Sequence, residues 1–415
     1  MSFAFGILFY FPVLLFLLYR ATRKKTVPLT PVELTLAFGF KVLMGCLYGY
    51  IFLHYFGGDD TWLYHREGLE ELEKWSNDIA AVTWNLAPGY FFEHADGFMQ
   101  GIRFYLDNLE KTSSIKVLAL FDILSGKNYY INVVLFNFII FWGHYLLFTV
   151  LVSRFPEKRK IIFFFVFLFP PVVFWLSGIR VDAWVFLFIA LLVKTFDSWL
   201  QSRKAGKFIG VVLSFLALLI FRNVVAFICL PALLAWYFAA SRRNPFVAFA
   251  LTYGAGILLF FATGLLPGNM NLPAFVANRQ QEYLALEANT RFKLDALEPT
   301  VNGFFKVTPQ ALLNTFLRPF PWEAKGALQL MAAADIIFFL LLLGLFVFRK
   351  EKPTRAYLSQ PILLFFLFTG VSLFLFIGYT VPFPGAIVRY KIIGELFLLL
   401  LLSLNIRLGN NRLYK

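Results

Sequence analysis

Apolar runs of near membrane-spanning length divide this chain, and that feature alone limits it to a bundle of helices in a bilayer. Crossing a hydrocarbon core takes about 20 consecutive apolar residues in a helix. Runs of that character cover Phe3–Tyr19, Leu36–Tyr55, Ile131–Val152, Ile161–Leu176, Ala183–Leu200, Phe208–Phe221, Val224–Ala240, Phe246–Leu266, Leu328–Phe348, Pro361–Phe383 and Ile392–Ile406. The expectation is an all-α polytopic membrane protein of about 11 transmembrane helices, a single integral-membrane domain over residues 1–415. An apolar share of 60% and a mean hydropathy of +0.71 argue against a soluble domain.

The formal net charge of +14 does not point to nucleic acid, because basic residues of a multi-span protein report its cytoplasmic loops. The basic clusters lie at 20–25, 154–160, 203–207, 242–243, 349–352 and 407–415. All of them share one side if the N-terminus is outside, which makes the C-terminus cytoplasmic. Two long structured extracytoplasmic loops then cover residues 56–130 and 267–326. The first holds 12 of the 24 acidic residues against six Lys/Arg. Its Leu69, Leu72, Trp75 and Ile79 recur at helical spacing, as in amphipathic helices at a membrane surface. The first apolar run precedes its charges and shows no small-residue cleavage site, so no cleavable signal peptide is expected. Cys46 and Cys229 both lie within apolar runs, which argues against a disulfide or a metal–cysteine site.

Chemistry concentrates where the second run meets its loop, in Phe56-Gly57-Gly58-Asp59-Asp60-Thr61-Trp62. Carboxylates at a membrane edge are unfavourable unless something polar uses them. Adjacent acids also suit general-base catalysis, one orienting the other. Asp59 and Asp60 are therefore the candidate catalytic residues; capping of the helix that follows is the structural alternative. Arg180, Arg222, Arg318 and Arg389, with Lys391, stand at the outer ends of apolar runs, against the positive-inside trend. Guanidinium groups match phosphate oxygens bidentately, which makes these residues candidate ligands of a phosphorylated lipid headgroup. The alternative for Arg180 is an ion pair with Asp182 or Glu395. His65, Trp322 and Glu323 complete the candidate substrate-binding set. His54, His65 and His94, near Asp59, Asp60, Glu93 and Asp96, offer imidazole and oxygen ligands for a divalent cation, but the spacing matches no metal motif, so no cofactor is assigned. Asp335 and Glu395 are acids inside late runs and keep a lipid or solute transporter in view.

An acidic pair at the start of the first large outer loop, amphipathic helices after it, many spans and a second long loop resemble the membrane glycosyltransferases of the GT-C superfamily. That resemblance implies a polyprenyl-linked sugar donor, a glycan acceptor, Asp59 or Asp60 as base, and outer arginines on the donor phosphate. It also implies the bacterial inner (plasma) membrane, with the active site facing the periplasm or outside. In that superfamily the acidic loop usually follows the first span, whereas here it follows the second. The stretch Ser177-Gly178-Ile179-Arg180 with Ala183 is similar to a signature of exopolysaccharide polymerases of the EpsG type, from which Val181-Asp182 departs. The expected activity is sugar transfer from a polyprenyl-phosphate-linked donor to a glycan or lipid-linked acceptor. The alternative is polymerisation of polyprenyl-diphosphate-linked repeat units. Replacing Asp60 or Arg180 is expected to abolish activity with insertion intact.

Overall fold

The computed structural model describes residues 3–84, 97–241, 244–267, 270–287, 290–324, 326–349 and 360–406. It is all-helical, with no strand among the described residues. Among the described residues, six helices are long and apolar enough to cross a membrane: Pro31–His54, Tyr129–Arg154, Val181–Ser202, Pro245–Leu265, Ala327–Arg349 and Pro361–Thr380. Shorter apolar helices cover Gly6–Thr22, Ala205–Phe221, Asn223–Ala239 and Ile392–Leu404. The chain is thus a multi-pass membrane protein, and it divides into two compact units, Met1–Ala226 and Phe227–Lys415. The basic residues at 242–243, 350–352 and 407–415 lie outside the described residues.

In unit 1, α1 (Phe3–Thr22) and α2 (Pro31–His54) precede the first loop. Helix α2 starts on a capping box: Glu33 N–H donates to Thr30 Oγ1 at 3.1 Å, and Thr30 N–H donates to the Glu33 carboxylate at 2.9 Å. Pro31 follows at the first helical position, where its missing N–H costs nothing. Two positive-φ glycines, Gly57 (φ 72) and Gly58 (φ 111), then turn the chain into the loop. The loop holds α3 (Asp60–Asn77), the short α4 (Ala81–Trp84) and α5 (Phe98–Ser125), and α3 packs along α5. Helix α6 (Tyr129–Arg154) begins at an Asn128 cap and is buried on nearly every side by α1, α2 and α9 (Val181–Ser202). Phe141 and Phe148 each meet Phe167 at 5.4 Å between ring centroids, which fills the middle of the unit.

The run Ile161–Leu176 is not one span. It forms α7 (Arg159–Phe163), a π-helical turn over Phe164–Leu168, and α8 (Pro170–Trp175). Pro170 holds the preceding Phe169 in the extended region (φ −70, ψ 112), so the helix breaks there. Hydropathy counts apolar length and cannot register that break. Residues 176–180 are then non-helical yet buried. Helix α10 (Ala205–Phe221) completes the unit by packing on α9.

The stripe that α3 buries is largely polar: Thr61, His65, Gly68, Glu71 and Trp75. Leu72 packs beside Trp75 and Ala119, but Ile79 is exposed, so the expected apolar stripe is only partly the packing face. Glu71 accepts from Lys116 Nζ at 2.5 Å and from Trp75 Nε1 at 3.0 Å, while Lys116 also donates to the Ala81 carbonyl at 2.9 Å. Lys116→Met removes the cation and strands the Glu71 carboxylate. The expected loss sits at the lower end of about 3–5 kcal/mol, because Lys74 stands 3.6 Å from the same carboxylate. Thermal unfolding checks this, and Glu71→Gln added to Lys116→Met should recover part of the loss.

Helix α11 (Asn223–Ala239) carries the division between the units. Unit 2 continues with α12 (Pro245–Ala262), α13 (Leu272–Ala285), α14 (Val301–Phe316), α15 (Ala327–Arg349), α16 (Pro361–Thr380), α17 (Pro384–Tyr390) and α18 (Ile392–Leu404). Its core is α16 against α14 and α18, with Phe366 stacked on Phe397 at 4.4 Å. The second loop is tied down by Gln280, which donates to the carbonyls of Asp295 (3.1 Å) and Tyr379 (2.8 Å) and accepts from Leu297 N–H at 2.9 Å. Leu258, Leu341 and Phe348 point outward, an arrangement suited to lipid and not to water.

Candidate functional site

Helix α2 presents Lys41, Gly45 and Tyr48 along one face, and all three are buried. Lys41 Nζ donates to the Leu176 carbonyl at 2.7 Å and to Ser177 Oγ at 3.2 Å. Asn137 of α6 donates to the Ser177 carbonyl at 2.8 Å. A Cβ on Gly45 would stand 2.6 Å from that same carbonyl, so only glycine lets the non-helical segment lie against α2. These contacts answer the backbone polar groups that the broken helix exposes. They also fix the end of the segment, where Arg180 precedes α9.

The Arg180 side chain is 4% exposed and lies among carboxylates. Its Nη1 donates to Asp59 Oδ2 and its Nη2 to Asp60 Oδ2. Nη1 also donates to Tyr48 Oη at 2.7 Å, and that hydroxyl donates to Asp59 Oδ2 at 3.0 Å. Asp182 lies 3.8 Å from Arg180 Nε and 3.7 Å from Arg222 Nη2. The structure therefore gathers Asp59, Asp60, Arg180 and Arg222 in unit 1 and adds Tyr48 and Asp182 to them.

The two adjacent acids differ in setting. Asp59 is the N-cap of α3, its Oδ1 accepting from Thr61 N–H at 2.9 Å, and its side chain is only 15% exposed. Asp60 opens the helix with its side chain 57% exposed. Capping thus occupies one carboxylate and leaves the other towards solvent. Tyr64 and Glu110 face the same charges. Burial raises the Glu110 carboxyl above its ordinary value; Arg222 counteracts this and Asp182 adds to it. Burial, with Glu110 and Asp60, also raises the Tyr64 phenol, against the opposing pull of Arg222 and Arg180.

His65 does not join this cluster. One turn along α3 it meets Asn132 Nδ2 at 3.3 Å and Asp122 at 3.6 Å, and Asn132 donates to Asp122 Oδ1 at 2.7 Å. Burial lowers the His65 imidazole to about 4 from its usual 6.5. Burial raises the Asp122 carboxyl to about 6 from 3.8, against the bond from Asn132 and the charge of Lys127. Between pH 4 and 6 folded Asp122 keeps a proton that the unfolded chain has lost, so its share of stability falls as pH rises. Over the same window folded His65 refuses a proton that the unfolded chain takes, so its share rises with pH. The two slopes oppose each other. Asp122→Asn should therefore lose stability relative to wild type as pH falls from 6 towards 4, and His65→Asn as pH rises from 4 towards 6. Melting temperatures of each variant minus wild type test this; parallel curves would contradict it.

His54 packs against Tyr50 with the ring centroids 4.4 Å apart and the planes tilted by 45°, while His94, Glu93 and Asp96 lie outside the described residues. Among the described residues, no group of three or more His, Cys, Asp or Glu side chains is arranged to hold a metal ion. In unit 2, Arg318 pairs with Glu323 at 3.3 Å and lies 4.4 Å from the Phe292 ring centroid. Trp322 is 79% exposed and stacks on Phe320 at 4.7 Å. Arg389 lies over the Tyr390 ring at 4.6 Å, and Lys391 is buried 3.5 Å from Glu395.

Tyr48 and Lys41 were open to detection, since they share a helix face with Gly45 inside a predicted span. Glu110 carried no local signal, because only the packing of α5 brings it to this cluster. Comparisons with protein-family models, curated proteins and solved structures find no match for this chain.

Proposed function

We propose that this chain transfers a sugar from a polyprenyl-phosphate-linked donor to a glycan or lipid-linked acceptor at the extracytoplasmic membrane face, with Asp60 as general base. The observation that carries the reading is the split between the adjacent acids. Asp59 is committed to its cap and to Tyr48, whereas Asp60 is half-exposed and oriented by a buried guanidinium. A catalytic base needs that combination of access and fixed direction. In the proposed step the acceptor hydroxyl gives its proton to Asp60 and its oxygen bonds to the anomeric carbon of the donor. The bond from that carbon to the phosphate oxygen breaks, and polyprenyl phosphate leaves. Arg222, more exposed than Arg180 and 3.7 Å from Asp182, is the residue to meet the phosphate. Arg180, bonded to both aspartates, is a positioning residue in this step and not the phosphate ligand expected from sequence.

Polymerisation of diphosphate-linked repeat units is the second reading, favoured by one observation. The Ser177–Arg180 stretch is wholly buried, hydrogen-bonded by Lys41 and Asn137 at Ser177 and by Arg180 to the acidic pair. Mass spectrometry of polyprenyl-linked lipids from cells carrying wild type or Asp60→Asn separates the two. Accumulation of a monophosphate-linked single sugar in the variant supports transfer, and accumulation of complete diphosphate-linked units supports polymerisation. Unchanged pools would sink both.

A further inference from the structure

Unit 2 buries three ionisable side chains among its apolar helices. Asp335 lies on α15, Lys391 between α17 and α18, and Glu395 in the first turn of α18. The Lys391 and Glu395 side chains are each 2% exposed, and Asp335 is buried. Lys391 Nζ stands 3.5 Å from Glu395 Oε2 and donates to the Thr315 carbonyl of α14 at 3.3 Å. Asp335 faces Glu395 where α15 packs on α18. Asp335 Oδ1, Glu395 Oε2 and the amide nitrogen of buried Asn314, beside Thr315, have no hydrogen-bond partner among the described residues. Helix α16, which also packs on α18, brings no charged residue, and Arg389 of α17 lies over Tyr390.

One ammonium balances one carboxylate. Two carboxylates in contact and out of water do not both stay ionised. Ionisable residues inside membrane-spanning segments mark proton and ion pathways as a rule. We propose that Asp335 and Glu395 form a proton-binding site within the apolar helices of unit 2, one proton shared between the two carboxyl groups and Lys391 balancing the remaining charge. Loss of that proton leaves the trio with a net negative charge; its return restores neutrality. The site goes beyond sugar transfer and does not rest on it.

Dicyclohexylcarbodiimide, which reacts with protonated carboxyl groups in apolar surroundings, tests this on the full chain in proteoliposomes at neutral pH. Peptide mass spectrometry should find an adduct on Asp335 or Glu395 in wild type, and never on both in one chain. In Asp335→Asn the remaining Glu395 pairs with Lys391 alone and gives up its proton, so its labelling should fall about tenfold or more. Absence of an adduct at both residues in wild type overturns the proposal. So does undiminished labelling of Glu395 in Asp335→Asn. The wild-type result stands by itself if the variant inserts poorly.

Discussion

Asp60→Asn should lower the rate of sugar transfer by about 10²–10⁴-fold and leave the melting temperature close to wild type. The amide keeps the size of the carboxylate and still offers an oxygen to Arg180, and the position is half-exposed, so little folding energy is at stake. What disappears is the ability to take a proton. Asp59→Asn should differ in kind. Asp59 uses one oxygen to cap α3 and the other to accept from Tyr48 and Arg180, and an amide has only one acceptor oxygen, so the change reaches stability as well as rate. Initial rates and melting temperatures of the two purified variants check the contrast. Near wild-type transfer by Asp60→Asn would remove the base assignment.

Arg180→Ala carries the second large effect, and it falls on folding. The sequence alone led to an expectation of lost activity with insertion intact. The structure instead makes the guanidinium the shared partner of Asp59 and Asp60 and a neighbour of Asp182. Removing it leaves close carboxylates without their counter-charge, two of them largely buried, which costs about 3–5 kcal/mol. Arg180→Lys should not restore the loss, because one ammonium cannot reproduce a planar fork that reaches both aspartates. Thermal unfolding in detergent measures it. A melting temperature for Arg180→Ala equal to wild type would show that these pairs do not hold the site.

The sequence contained more of this site than of its supports. Asp59, Asp60 and Arg180 stood out because charge beside apolar runs is costly and therefore informative. Their mutual pairing did not, since 120 residues separate Arg180 from Asp60 and no periodicity spans that distance. The same holds for Glu71 with Lys116 and for His65 with Asp122 and Asn132, polar contacts buried between helices that read as amphipathic or apolar. Hydropathy found the long helices such as Tyr129–Arg154 and merged the pieces of 161–176, where Pro170 and the anchors at Lys41 and Asn137 decide the backbone. Fold class followed from apolar length. Site geometry required the helix packing that brings distant polar residues together.

The decisive measurement uses purified protein in proteoliposomes, with a polyprenyl-phosphate-linked sugar labelled in the sugar and a glycan acceptor outside. With wild type the label should leave the lipid and appear on the acceptor, and with Asp60→Asn it should stay on the lipid. Label that crosses the bilayer still attached to its lipid, or that reaches the acceptor equally well with both proteins, would contradict sugar transfer with Asp60 as base.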